Sequence, residues 1–309
     1  MAGDGVRTSG GVVKELTIHG VNRIAGLVFL SVALTSWLRA ETDTPRLISI
    51  GGSVTEIVYA LGADKTLVGT DTSSIYPEAA TKLPQVGYQR SLSAEGVLGL
   101  HPTLILASAD AGPPSVVDQL KQSGVSWVII PAENSIAGAK DKIRAVAHAL
   151  HREAQGEALM QHLHDEMTKA QSLLASEGSN SKVLFIYARG GGSVNVAGQK
   201  TAADAMITLA GGTNAASGYT GYKPLTAEAV VAAAPEVILI PTRGLESIGG
   251  IDGLLSQPGL AATPAGKSRK VVAMDDLLLL GFGPRLGEAV WQLTQLLHGQ
   301  KTDSPVAAP

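Results

Sequence analysis

The sequence predicts an α/β protein of two Rossmann-like lobes joined by one long interlobe α-helix. Three observations carry that reading. Short apolar runs rich in β-branched residues alternate with amphipathic stretches in both halves of the chain, which is the pattern of buried parallel strands linked by helices. Between the halves lies an Ala-rich, charged stretch over 136–176 that contains no proline. The 17 residues LSAEGVLGLHPTLILAS (92–108) align without a gap to LTAEAVVAAAPEVILIP (225–241) and share seven identities, as two copies of one αβ unit would.

Taken in order, residues 1–40 read as a secretory signal peptide. Arg7, Lys14 and Arg23 precede an apolar run over 24–38 that ends at Arg39-Ala40, and a run of this length is short for a membrane span of roughly 20 residues. The first lobe, 41–135, carries expected strands at 46–50, 67–71, 104–108 and 127–131, with helices near 54–62, 93–100 and 114–122. Residues 136–177 follow as one long helix whose only weak helix formers are Gly138 and Gly156, with a bend expected at Gly156. The second lobe, 178–300, carries strands at 183–187, 237–241 and 271–274 and a closing helix near 285–298. A weaker echo pairs 53–63 with 201–212, and the tail 301–309 reads as disordered.

Composition narrows the function. The 309 residues carry 24 Lys plus Arg against 27 Asp plus Glu, a net charge of -3, and only 4% aromatics. Such a chain has neither the basic stripe nor the stacking surface that nucleic acid partners require. The absence of cysteine removes disulfides, thiolate metal sites and a lipidated N-terminal cysteine, so an exported, soluble protein of the periplasm is expected. No GxxxxGK[ST], G-x-S-x-G or strand-following G-x-G-x-x-G occurs, which leaves an α/β enzyme as a remote alternative. His148 and His151 share a helical face, but His162 and His164 lie about 200° apart around the axis and do not chelate one ion together.

The motifs GGSVTE (51–56), GYQR (87–90), RGGG (189–192), TAADAM (201–206), GYKPL (221–225) and GFGPR (281–285) together resemble the bacterial periplasmic haem-binding proteins that feed ABC importers. These fall within the class III periplasmic binding protein group that also carries vitamin B12 and ferric siderophores. The resemblance spans the chain from residue 48 onward. It implies haem as cargo, Tyr88 as the iron ligand, and Arg90 as hydrogen-bond partner of the Tyr88 oxygen. It also implies Arg189 and Lys223 beside the propionates, Tyr222 against the ring, and Glu95 and Glu228 as docking points on a permease dimer of the inner membrane. A monomer without enzymatic activity is expected.

A phenol with an ordinary pKa near 10 becomes a good ligand when ferric iron displaces its proton, and a neighbouring guanidinium favours the phenolate further. Two apart in an extended loop, Tyr88 and Arg90 would face the same side. An exposed tyrosine beside a solvated arginine has the same sequence, however, and Glu95 and Glu228 are stabilised in first helical turns whether or not they dock. Other chelates stay open, cobalamin less so given few aromatics, and a siderophore through Arg189, Arg243 and Arg285. Leu277, Leu278, Leu279, Leu280 and Phe282 read either as porphyrin contacts or as a buried strand end.

Overall fold

The computed structural model describes residues 45–177, 180–189 and 194–298. The expected leader, the glycine turn at 190–192 and the tail at 301–309 lie outside them.

The first lobe runs β1 (Leu47–Ile50), α1 (Gly52–Ala60), β2 (Leu67–Thr70), β3 (Gly87–Tyr88), β4 (Ser91–Leu92), α2 (Ala94–Leu98), β5 (Leu104–Ser108), α3 (Pro114–Gln122) and β6 (Ser126–Ile130). Four of these strands form a parallel sheet in the order β2-β1-β5-β6. Apolar side chains cover both faces, as a crossover-built sheet demands. Leu47 and Leu106 pack toward α1, while Ile48, Ile50, Ile105 and Ala107 pack on the opposite face with Val97 and Leu120.

The second lobe follows the same plan with additions at one edge. It comprises β7 (Lys182–Tyr187), β8 (Asn195–Ala197), α6 (Ala202–Leu209), β9 (Thr213–Asn214), β10 (Tyr222–Pro224), α7 (Ala227–Ala233), β11 (Val237–Pro241), α8 (Thr242–Ser247), α9 (Gly250–Leu255), α10 (Pro264–Ser268), β12 (Val271–Met274), α11 (Asp276–Leu280) and α12 (Leu286–Leu297). Its sheet has the order β10-β8-β7-β11-β12, parallel across β7-β11-β12 and antiparallel across β10-β8-β7. The internal repeat is realised as equivalent pieces of structure. Ser93 caps α2 by accepting from the Gly96 N–H, and Thr226 caps α7 by accepting from the Ala229 N–H. Buried strands β5 and β11 follow.

The expected single helix over 136–177 is instead two helices, α4 (Ile136–Ala149) and α5 (Glu153–Glu177). The break lies at 150–152, where His151 takes a left-handed φ of 53°. The His151 N–H donates to the His148 carbonyl at 3.2 Å and the Arg152 N–H to the Ala147 carbonyl at 2.8 Å. Those two bonds make a Schellman stop, usually built on glycine; histidine tolerates the left-handed region better than most residues, so the stop carries no glycine signal. Gly156 does not bend the chain. It lies inside α5, where a Cβ would come within 2.6 Å of the Ala147 Cβ, so its role is to let α5 cross close to α4.

At 1.5 Å per residue α5 spans about 37 Å. One continuous apolar core runs from the first lobe through Ile143, Met160, Leu163 and Met167 to Val183, Phe185, Leu286 and Val290. Polar links reinforce it. Arg285, at the start of α12, ion-pairs through Nε with the Glu56 carboxylate of α1, while its guanidinium lies 3.6 Å from the Tyr76 ring centroid. Lys142 of α4 donates from Nζ to the carbonyls of Gly281 and Phe282 at 3.1 and 3.2 Å.

Candidate ligand-binding cleft

Loops at the carboxyl ends of the strands, together with α4, enclose a cavity of about 1060 Å³. This is where ligands collect in open α/β sheets, and the volume lies at the upper end of small-ligand sites.

From the first lobe, Tyr88 enters the cavity on a two-strand hairpin, β3 paired with β4. The hairpin is anchored at its tip, because the Gly112 N–H donates to the Gln89 carbonyl at 2.8 Å and the Leu92 N–H to the Gly112 carbonyl at 2.9 Å. Gln89 and Arg90 form the turn, so the expected extended loop is a tight hairpin instead. Arg90 donates from Nη2 to Asp110 Oδ2 at 2.8 Å. Asp110 is the main reason the guanidinium is held above its ordinary value, with Tyr88 adding to the effect. Asp110, absent from the sequence reading, thus fixes the arginine beside the phenol.

From the second lobe, Arg189 reaches across. Its guanidinium carbon lies 5.5 Å from the Tyr88 ring centroid and 5.7 Å from that of Tyr187, within cation–π range of both. Tyr187 in turn meets Tyr222, with ring centroids 6.0 Å apart and planes at 58°. Burial pushes the Tyr187 and Tyr222 phenols up, which keeps them protonated as hydrogen-bond donors. Three tyrosines and two arginines therefore meet across the cavity.

Lys223 does not join them. Neighbouring residues on a strand point to opposite faces; Tyr222 of β10 lines the cavity, while the Lys223 ammonium sits 4.6 Å from the Tyr219 ring centroid, away from the wall. Arg285 is also withdrawn, held between Glu56 and Tyr76. Arg243 lines the cavity, and its N–H donates to Asp276 Oδ2 at 3.2 Å. Burial pushes the Asp276 carboxyl up. Leu277 and Leu280 face the cavity, whereas Leu278, Leu279 and Phe282 belong to the core. Among the described residues the wall carries Arg90, Lys142, Arg189, Lys200 and Arg243 against Asp110 and Asp276. This is a basic cleft in a chain of net charge -3.

Lys142, like Lys200 and Asp276, is a further charged wall residue absent from the sequence reading. Burial pulls its ammonium down to about 8, against an ordinary 10.5. Between those two values the unfolded chain still holds the proton and the folded chain does not, so stability rises with pH across that window and is flat below it. Urea melts are expected to show wild type gaining on Lys142→Met as pH climbs from about 8 to 10, with a constant difference below pH ~7.

Glu95 and Glu228 are exposed in the first turns of α2 and α7. His148 faces Glu153 at 3.3 Å, and the described residues contain no group of three or more His, Cys, Asp or Glu that could hold a metal ion. Nor is any described helix long and apolar enough to cross a membrane.

Residues 47–278 match the periplasmic binding protein family. The solved periplasmic heme-binding protein RhuT from Roseiflexus sp. RS-1 is 46% identical, with a TM-score of 0.80 over 82% of this chain and 98% of that one. The ABC transporter substrate-binding lipoprotein YvrC of Bacillus subtilis is 27% identical over 264 residues, 84% of this chain and 81% of that protein. A vitamin B12-binding protein of Vibrio cholerae is 27% identical over 219 residues, 71% of this chain and 78% of that protein. With two α/β lobes around a basic cleft and a family match over most of its length, the chain belongs to the periplasmic binding protein family, as the substrate-binding component of an ABC transporter.

Proposed function

We propose that this protein captures haem in the periplasm, between its lobes, through Tyr88 as axial iron ligand, and delivers it to the permease dimer of an ABC importer. The observation that carries the reading is the position of Tyr88: its ring lies under the Arg189 guanidinium and beside the Arg90–Asp110 pair, at the wall of a basic cavity. Ferric iron displaces a phenol proton, and adjacent cations favour the phenolate that results. Two propionates suit a wall on which cations outnumber carboxylates five to two, and Leu277, Leu280, Tyr187 and Tyr222 offer ring contacts.

The same features weigh against other chelates. A corrinoid is ringed with neutral amides and gains little from surplus positive charge. A hexadentate ferric siderophore fills the coordination of its iron and leaves a phenolate no position, and Arg285 is committed to Glu56. Absorption titrations of the protein with ferric haem, cobalamin and a ferric siderophore test the reading. Saturable binding of haem with a tyrosinate-to-iron spectrum is expected; saturable binding of either of the others without haem binding overturns it.

Glu95 and Glu228, one per lobe in matching capped turns, are assigned to docking on permease arginines. Changing both to alanine is expected to leave haem titration as in wild type while haem-dependent growth through the cognate importer is lost; undiminished growth refutes the docking role. Residues 1–40 serve as the export signal, and the mature chain works as a monomer without nucleic acid partners.

A further inference from the structure

Asp71 is fully buried and does not line the cavity. It follows β2, and its two oxygens accept from three separate segments. Oδ1 accepts the Gly51 N–H at 2.8 Å and the Ser74 hydroxyl at 3.0 Å. Oδ2 accepts the Ser73 N–H at 3.0 Å and the Gln89 N–H at 3.2 Å. Gln89 is the residue after Tyr88, at the tip of the hairpin.

Behind the carboxylate stands a line of buried hydroxyls. Ser74 Oγ lies 2.6 Å from Thr55 Oγ1, which lies 2.6 Å from Ser49 Oγ, and all three residues are fully buried. A hydroxyl has one proton to give. With Ser74 donating to Asp71, Thr55 donates to Ser74 and Ser49 to Thr55, so the proton of each hydroxyl points along the line toward the carboxylate. A buried polar network that is fully satisfied specifies one arrangement of the segments it joins. Here it joins β1, α1, the loop after β2 and the hairpin tip. Gly51 permits the approach: its φ is +111°, and a Cβ there would stand 3.0 Å from the Ser108 Cβ and 3.2 Å from the Gln89 side-chain oxygen.

We propose that Asp71 is a positioning residue for iron capture, fixing the hairpin so that the Tyr88 oxygen meets the metal in a single geometry. This rests on the haem reading above. A residue that orients a metal ligand without touching the metal typically changes affinity by about 10- to 100-fold when replaced.

Asp71→Asn isolates the contact. The amide keeps one acceptor for Gly51 and Ser74 and turns its N–H donors toward the N–H groups of Ser73 and Gln89, which repels the hairpin tip. Gln89→Pro removes the same bond from the other side, since proline has no N–H. Ser49→Ala shortens the hydroxyl line at its far end and leaves the Gln89 bond in place. Ferric haem titrations of the whole protein, read with resonance Raman of the iron–phenolate vibration and with thermal melts, distinguish the outcomes. Expected are a Kd raised about 10- to 100-fold and a shifted, broadened iron–phenolate signal in Asp71→Asn and Gln89→Pro, against a lowered Tm with both properties kept in Ser49→Ala. If Asp71→Asn fails to fold, Gln89→Pro decides alone. Wild-type affinity and an unchanged vibration in Gln89→Pro would overturn the positioning role while wild type binds haem normally. A wild-type chain that takes up no haem overturns the haem reading itself, and this inference with it.

Discussion

Tyr88→Phe is expected to lower haem affinity by more than about 100-fold and to erase the tyrosinate-to-iron absorption. Residues that merely orient a metal ligand cost about 10- to 100-fold when replaced, and loss of the ligating oxygen itself exceeds that. Phenylalanine keeps the ring, and with it the stacking against Arg189 at 5.5 Å, so the loss reports the oxygen and not the packing. Tyr187→Phe and Tyr222→Phe are the matched comparisons. Burial holds both phenols protonated, so each substitution removes a neutral hydrogen-bonding group worth about 0.5–1.5 kcal/mol, roughly tenfold or less in affinity. Equal losses at all three positions would deny Tyr88 a special role. Arg90→Ala falls between: the phenolate loses a cation, Asp110 loses its partner, and the iron bond remains.

Arg285→Met is expected to destabilise the fold by about 3–5 kcal/mol without removing any group that faces the cavity. The Glu56 side chain exposes only 5% of its surface and that of Arg285 21%. Burial already pushes the Glu56 carboxyl up, with Arg285 opposing that push. Removing the arginine strands an acid in the core against the second-lobe turn before α12, since Gly283 lies where a Cβ would approach the Glu56 carboxylate at 3.3 Å. A buried pair replaced whole by apolar residues of similar size costs far less than one partner removed. Glu56→Leu with Arg285→Leu is therefore expected to recover much of the loss in urea melts; a double variant as unstable as Arg285→Met refutes the account.

The interlobe links also bear on how the cleft works. Arg285 between Tyr76 and Glu56, and Lys142 on the carbonyls of Gly281 and Phe282, pin the GFGPR segment to the first lobe at two places, and a shared apolar core lies behind them. Such a connection permits small relative movements of the lobes and opposes a wide hinge swing. Across the cavity itself, Arg189 spans from Tyr187 of the second lobe to Tyr88 of the first.

The strands and the duplicated αβ unit were legible in the sequence, because burial runs and helical spacing are local and a repeat announces its own symmetry, whereas Tyr88, Arg90, Arg189 and Tyr222 were expected together only from the family resemblance, and all four line the cavity. Where a decision depended on segments far apart in the chain, the sequence carried no sign of it. The stop at His151 escaped for a local reason instead, since it ends α4 in a conformation that usually advertises itself with glycine. Lys223 turns away from the cleft, since β10 pairs with β8 in a register that puts Tyr222 on the cavity side. Arg285 serves the core, through an acid 229 positions earlier. Asp71 and Asp110 show nothing locally, since their work is to accept N–H groups of the Tyr88 hairpin from loops 18 and 20 positions away. Polar pairing of this kind is set by which strand ends meet in space, and only the tertiary structure brings those ends together.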